Sequence, residues 1–98
     1  MKTDMTAEKR MKTASAPGET IRRQLKERHM SQKEFALRMD LSEKHISRLV
    51  NGDVQLTPAV AERLEIVLGV PSAYWNRLEA QYREKLVKAE METTLARQ

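Results

Sequence analysis

Residues 31–51, SQKEFALRMDLSEKHISRLVN, predict two short helices joined by a tight turn. Ser31 is followed three residues later by Glu34, a spacing typical of a capping box, in which each side chain bonds to a backbone N–H group at the start of a helix. Apolar residues then recur at helical spacing on one face of the first helix: Phe35, Ala36 and Met39. The stretch therefore opens with an amphipathic helix.

A second helix is predicted to begin after Ser42. The hydroxyl of this residue can accept a hydrogen bond from a backbone N–H group that the first helical turn leaves without a partner. The inward-facing residues of the second helix are Ile46, Leu49 and Val50. Gly52 ends the helix, because a left-handed residue often follows the last turn. Two helices joined by so short a turn cross at a steep angle, so we expect the second helix to be exposed along one side.

The opposite face of the second helix carries almost only side chains that form hydrogen bonds: Glu43, Lys44, Ser47, Arg48 and Asn51. A helix with such a face fits the major groove of DNA, where the base edges present donors and acceptors. Gln32 and the N-terminus of its helix are expected to hold a phosphate, and Arg48 a guanine edge. The predicted DNA-binding residues are Gln32, Lys33, Ser42, Glu43, Lys44, Ser47, Arg48 and Asn51. The alternative is that these are solvated surface side chains.

The charge is distributed unevenly along the chain. The 98 residues are enough for one domain with a modest core, and their net charge is +4. Residues 1–16 contribute +2, residues 17–52 contribute +3 and residues 53–98 contribute −1. The positive charge thus accompanies the predicted DNA-reading helix, as phosphate binding requires. A basic surface without a partner is the alternative.

Several classes of function find no support in the composition. There is no cysteine, and the three glycines are isolated, so neither thiol chemistry nor a Gly-rich phosphate loop is predicted. The two histidines have no ligand pattern around them, so no metal site, no cofactor and no enzymatic activity are expected. No apolar run approaches the roughly 18 residues of a membrane span, and no signal peptide is recognisable, so we expect a cytoplasmic protein without a membrane partner.

The N-terminal part divides into a tail and a helix. Residues 1–16 lack large aliphatic or aromatic residues other than Met and are predicted to be disordered. The sequence MKT at residues 1–3 recurs at 11–13, so Met11 is an alternative start. A basic arm that follows DNA is the functional alternative for this tail. Pro17 favours a helix start. Four cations of that helix are expected to be solvated, with one of them near a phosphate as the alternative: Arg22, Arg23, Lys26 and Arg28.

Two further helices are predicted after Gly52. Thr57 and Pro58 form a helix start, and Gly69 ends that helix. Ser72 is expected to cap a long final helix whose apolar residues are Trp75, Leu78, Tyr82, Leu86 and Ala89. This stripe exceeds what a small core can cover, so a dimer interface is predicted at Trp75, Leu78, Tyr82 and Leu86. In the alternative, Trp75 and Leu78 belong to the core and the remaining turns fray. The domain is predicted to span residues 17–92, followed by a disordered tail at 93–98.

Residues 31–51 resemble the helix-turn-helix of the lambda-repressor-like (XRE) regulators. The resemblance lies in Gln32, Ala36, the apolar residues Leu41, Ile46 and Leu49, and the closing Asn51-Gly52. Asp40 departs from the pattern, because the family usually has Gly in this turn; Asp tolerates the left-handed conformation better than most residues. Over residues 17–82 the order of motifs is similar to the HigA/VapI-type antitoxins: Pro17-Gly18-Glu19, Leu56-Thr57-Pro58, Ala61-Glu62-Arg63-Leu64, Leu68-Gly69, and Trp75 with Leu78.

The resemblance implies an all-α fold of five helices that binds operator DNA, usually as a homodimer. It also implies an antitoxin that represses its own operon and neutralises a partner toxin of the HigB type, an mRNA-cleaving ribonuclease. Two alternatives remain: a stand-alone XRE-type regulator without a toxin, and a helical adaptor that binds another protein. Related chains carry this module fused to a metallopeptidase-like domain, so the chain is also compatible with a piece of a longer protein.

Overall fold

The computed structural model describes residues 16–96, which form five α-helices and no strand. The helices are α1 Pro17–Glu27, α2 Gln32–Met39, α3 Glu43–Asn51, α4 Pro58–Leu68 and α5 Ser72–Ala96. The five-helix, all-α fold with a helix-turn-helix at about residues 31–51 is therefore confirmed. The predicted disordered tail and the alternative start at Met11 concern residues 1–15 and lie outside the described residues, whereas Ala16 is buried and precedes α1.

Three of the helices begin at side-chain caps that the sequence predicts. Ser31 Oγ accepts a hydrogen bond from Glu34 N at 3.0 Å, and Ser42 Oγ accepts one from His45 N at 3.0 Å. Thr57 Oγ1 does the same for the N–H group of the third residue of α4, at 3.2 Å. These bonds satisfy backbone donors that would otherwise lack partners. The caps therefore fix where α2, α3 and α4 start.

The same helices end in left-handed residues. Gly52 and Gly69 have φ angles of 81° and 80°, and Asp40, between α2 and α3, has a φ of 59°. The prediction that Asp40 replaces the usual Gly in this conformation is confirmed. The conformation costs a non-glycine residue about 1–2 kcal/mol, less for Asp, whose short polar side chain tolerates it. The turn keeps its shape because Leu41 N donates to Ala36 O at 3.0 Å.

One hydrophobic core joins all five helices. α4 packs mainly against α5, α2 packs against α3 and α4, and α1 packs against α3 and α5. The core contains Ile21, Leu25, Phe35, Ala36, Met39, Ile46, Leu49, Val50, Leu56, Ala61, Leu64, Leu68 and Trp75. Trp75 is fully buried, and its Nε1 donates a hydrogen bond to Val70 O at 3.1 Å, so its polar atom is satisfied within the core.

α1 and α3 approach each other closely at Gly18. A Cβ atom on this residue would lie 1.8 Å from the carbonyl oxygen of Val50, far inside van der Waals contact. Only glycine allows the two backbones to meet at this distance. The C-terminal end of α3 is therefore held directly against the first turn of α1.

α5 departs from the sequence prediction at both ends. Ser72 is the first residue of the helix and not its cap; its backbone N–H donates to Glu65 Oε1 at 2.9 Å, so a carboxylate from α4 satisfies this helix start. At the other end, α5 continues to Ala96, through residues assigned by sequence to a disordered tail beginning at 93. With 25 residues the helix is about 37 Å long, at roughly 1.5 Å per residue.

Candidate nucleic-acid interface

α3 separates its apolar and polar residues on two faces. Ile46, Leu49 and Val50 are at most 3% exposed, which confirms the predicted inner face. The polar residues predicted on the outer face all keep contact with solvent: Glu43, Lys44, Arg48 and Asn51 are exposed, and Ser47 is half-buried. His45 is also half-buried, beside this face. The side of α3 that faces away from the core is therefore polar from its first residue to its last.

The starts of α2 and α3 add further polar groups. Gln32 and Lys33 are both exposed in the first turn of α2, next to the Ser31 cap. Backbone N–H groups at such a position attract anions, and Lys33 adds a positive charge. Ser42 is exposed, and its oxygen is engaged in the α3 cap. Its hydroxyl therefore keeps one donor for a further partner.

Asn51 makes a contact that the sequence did not indicate. Its Oδ1 accepts a hydrogen bond from Arg22 Nη2 at 2.6 Å, which links the end of α3 to α1. Arg22 also donates from Nη1 to Glu19 Oε2 at 3.4 Å. Arg22 was expected to be a solvated surface charge and was not among the predicted DNA-binding residues. No local pattern reveals the contact, because 29 residues separate its two partners.

Two other arginines hold the surroundings of the helix-turn-helix in place. Arg28 is exposed, as expected, and its Nη2 also donates to Leu68 O at 2.6 Å, which connects the end of α1 to the end of α4. Arg83 of α5 donates from Nη2 to Val54 O at 3.2 Å, in the loop that follows α3. Arg83 forms an ion pair with Glu79, one turn before it. These bonds fix the elements that flank α2 and α3.

The four residues predicted at a dimer interface have different environments. Trp75 and Tyr82 are both 0% exposed, so neither side chain offers surface to a second copy. Leu78 and Leu86 are half-buried. The exposed apolar residues in the second half of α5 are Val87, Met91 and Leu95, at 54%, 59% and 65% exposure. Their spacing of four residues places them on one side of α5, away from Tyr82.

The rest of the described chain offers little for other kinds of chemistry. Within residues 16–96, no three His, Asp or Glu side chains group closely enough to hold a metal ion. In the same part of the chain, no helix has both the length and the apolar character needed to cross a membrane. The polar face of α3, flanked by the N-terminus of α2, is the clearest surface for a ligand.

A polar helix held at the surface by a tight turn, within a bundle of five helices, defines a DNA-binding domain of the helix-turn-helix class. The helix-turn-helix family HTH_3 matches residues 21–75, more than half of the chain. The chain is also 33% identical over 81 residues to an uncharacterized HTH-type transcriptional regulator, YddM, of Escherichia coli (strain K12). The match covers 83% of this chain and 84% of that relative. The chain belongs to the HTH_3 family and is a DNA-binding transcriptional regulator.

Proposed function

We propose that the protein is a sequence-specific repressor that binds an operator with α3 in the major groove. The observation that carries this proposal is the polar outer face of α3, which stays accessible while Ile46, Leu49 and Val50 anchor the helix in the core. A major groove admits an α-helix, and its base edges present donors and acceptors that such a face can match. Bound at a promoter, the protein blocks access by RNA polymerase.

The residues of this face take different roles. Arg48 has two parallel N–H groups that match the O6 and N7 acceptors of guanine. Lys44, four residues before Arg48, lies on the same side of α3, and Ser47 directly precedes Arg48. Glu43 accepts from a cytosine amino group or keeps phosphates at a distance. Gln32 and Lys33, at the start of α2, bind a backbone phosphate and fix the register of α3.

The repressor acts as a homodimer in this proposal. Two α3 helices then enter successive major grooves about 34 Å apart on one face of the DNA. Because Trp75 and Tyr82 are buried in the single chain, the contact between copies would rest on exposed residues of α5, with Val87, Met91 and Leu95 as the available apolar stripe. Met91→Asp is expected to shift the purified protein to a monomer in sedimentation analysis while the circular dichroism spectrum stays unchanged.

The role of an antitoxin is the finer part of the proposal, and it depends on the resemblance to HigA/VapI-type chains. It predicts that the gene lies next to a reading frame for a small ribonuclease of the HigB type, and that the two products form a complex on co-expression. A stand-alone regulator is the second candidate, and the description of the Escherichia coli relative as a transcriptional regulator agrees with it. If no such reading frame adjoins the gene, the stand-alone role is favoured.

A gel shift on the upstream DNA of the protein's own gene tests the repressor function. Arg48→Ala is expected to weaken operator binding by about 1–3 kcal/mol and to relax the preference at one base pair. Lys33→Ala serves as the matched control, because loss of a phosphate contact weakens binding to all sequences alike. If Arg48→Ala changes neither affinity nor base preference, the proposed position of α3 in the groove is wrong.

A further inference from the structure

We infer that Arg83 of α5 is a positioning residue for DNA reading: it holds the loop that follows α3 and, through this loop, the turn of α3 that carries Arg48. The inference rests on the proposed placement of α3 in the major groove. It extends the set of residues that decide base preference to a side chain outside the helix-turn-helix, and it gives α5 a part in reading the operator.

The loop after α3 is bonded to the backbone of Arg48. Beyond Gly52, whose left-handed conformation ends the helix, the backbone N–H of Asp53 donates to the carbonyl oxygen of Arg48 at 2.8 Å. The N–H of Gly52 donates to the next carbonyl, that of Leu49, at 3.2 Å. The two bonds form a Schellman motif, which sets the path of the chain as it leaves the helix. A shift of the loop is therefore transmitted to the last turn of α3, where Arg48 lies.

Arg83 reaches the next residue of this loop from α5. Its Nη2 donates to the carbonyl oxygen of Val54 at 3.2 Å. Val54 is half-buried and packs against the hydrophobic core, so the loop is attached at this residue by an apolar contact and by a polar one. A loop has no hydrogen-bond ladder of its own, so such contacts decide how firmly it is held. The bond from Arg83 thus connects α5 to the end of α3 by way of Val54 and Asp53.

The guanidinium of Arg83 is itself held in place. Its Nε donates to the carboxylate of Glu79, one turn earlier in α5, and its Cζ lies over the ring of Tyr82, 5.1 Å from the ring centroid. Tyr82 is fully buried, and the side chains of Glu79 and Arg83 are 13% and 30% exposed. Because the guanidinium is planar and rigid, these two contacts fix the direction of its other N–H groups. The bond to Val54 therefore starts from a fixed point on α5.

Base recognition by Arg48 is sensitive to small displacements of α3. Two parallel hydrogen bonds to a guanine edge require both N–H groups at a suitable distance and angle. Recognition sites must be held within roughly 0.5 Å of the productive geometry. Contacts with phosphates carry no sequence information, so they contribute equally to binding of any duplex. Loss of the bond from Arg83 to Val54 should therefore reduce the preference for the operator more than the general affinity for DNA.

Binding of Arg83 variants to operator and to unrelated duplexes tests the inference. We expect Arg83→Ala to weaken operator binding by about three- to tenfold, to leave binding to unrelated duplexes within about twofold, and to relax the preference at the same base pair as Arg48→Ala. Arg83→Lys keeps the charge, but its single nitrogen cannot take the places of both Nε and Nη2, so it should lose the preference as well. Arg77→Ala is the matched control, because it removes the same charge from an exposed position of α5 that has no hydrogen bond to this loop within residues 16–96. It should leave the preference unchanged.

A double-mutant cycle separates positioning of Arg48 from a general structural role. If Arg83 acts through Arg48, Arg83→Ala should cost little further operator affinity once Arg48 is alanine, because the contact that it supports is already gone. Melting curves show that each variant is folded at the temperature of the binding assay; should Arg83→Ala not fold, Arg83→Lys carries the same cycle. Additive losses in the cycle, an unchanged base preference in Arg83→Ala, or full operator preference in Arg83→Lys would overturn the inference. If the unmodified protein does not prefer its operator to unrelated DNA, it is the repressor function that fails.

Discussion

The exposed side of α3 is polar, whereas the exposed side of the second half of α5 is apolar. Outside the core, α3 presents polar side chains from its first residue, Glu43, to its last, Asn51. α5 buries Tyr82 and Ala89 on one side and exposes Val87, Met91 and Leu95 on another. The first surface suits a hydrated, charged partner such as DNA, and the second suits a protein. One small domain thus carries two surfaces of opposite character.

The largest expected effect separates the two sides of α5. Tyr82→Ala should lower the free energy of unfolding by about 3–5 kcal/mol, because it empties space inside the fold. Met91→Ala, on the exposed side, should change it by no more than about 0.5 kcal/mol in dilute protein, below the concentration at which copies associate. Thermal or urea unfolding of both variants measures the difference. Equal losses would mean that the Met91 side is also covered within the single chain.

A second prediction concerns Gly18, where α1 packs closely against α3. Gly18→Ala forces the Val50 carbonyl away and should destabilise the fold by about 1–3 kcal/mol or more, as overpacking does. Gly69→Ala is the control, since nothing lies within 4 Å of its added Cβ and only its φ of +80° is strained. Its cost should stay near 1–2 kcal/mol. Unfolding curves that rank Gly69→Ala as the more damaging change would contradict the close contact of α1 with α3.

Ser42, which caps α3, and Ser47, within α3, should respond differently to substitution. Ser42→Ala removes the cap on His45 N and should reduce stability by about 1 kcal/mol. Ser47→Ala removes the same hydroxyl from the outer face and should leave stability within about 0.5 kcal/mol, while altering operator affinity. Thermal unfolding compares the stability of the two variants, and gel-shift titrations compare their operator affinity. A stable Ser42→Ala protein would show that α3 does not depend on its cap.

The smallest expected effect lies in the turn between α2 and α3. Asp40→Gly should raise the free energy of unfolding by up to about 1 kcal/mol, because glycine adopts the left-handed conformation without strain. The Asp40–Arg63 ion pair, 3.8 Å long and exposed, contributes little to offset this gain. Asp40→Ala should instead lower stability. Both variants remove the Asp40 side chain, but only glycine relieves the backbone strain. Melting temperatures that rise for Asp40→Gly and fall for Asp40→Ala therefore show the effect of the backbone conformation.

Local patterns in the sequence predict much of the helix-turn-helix, since a cap or a helical repeat involves residues within a few positions of one another. Ser31, Ser42 and Thr57 cap as expected, and the inner faces of α2 and α3 are the predicted ones. The stripe of α5 that runs through Trp75 and Tyr82 was also identified, and it is the buried side of the helix.

Contacts between distant parts of the chain were not predicted. The bond from Arg22 to Asn51 and the bond from Arg28 to Leu68 span 29 and 40 residues, and each depends on how α1 packs. The need for glycine at residue 18 likewise follows only from the position of α3. Periodicity identifies an apolar face but does not say what covers it, which is why Trp75 and Tyr82 were assigned to a dimer interface. The exposed stripe of Val87, Met91 and Leu95 was missed, since charged residues interrupt it.

Within residues 16–96, Arg28, Trp75 and Arg83 each donate a side-chain hydrogen bond to the main-chain carbonyl of a residue in another helix or loop. Arg28 bonds to the carbonyl of Leu68, Trp75 to that of Val70 and Arg83 to that of Val54. A carbonyl belongs to every residue type, so the accepting positions can exchange side chains during evolution without losing these hydrogen bonds. The donors have no such freedom. These three hydrogen bonds therefore constrain the donor side chain but not the acceptor, whose residue type is set by packing alone, as for Leu68 in the core.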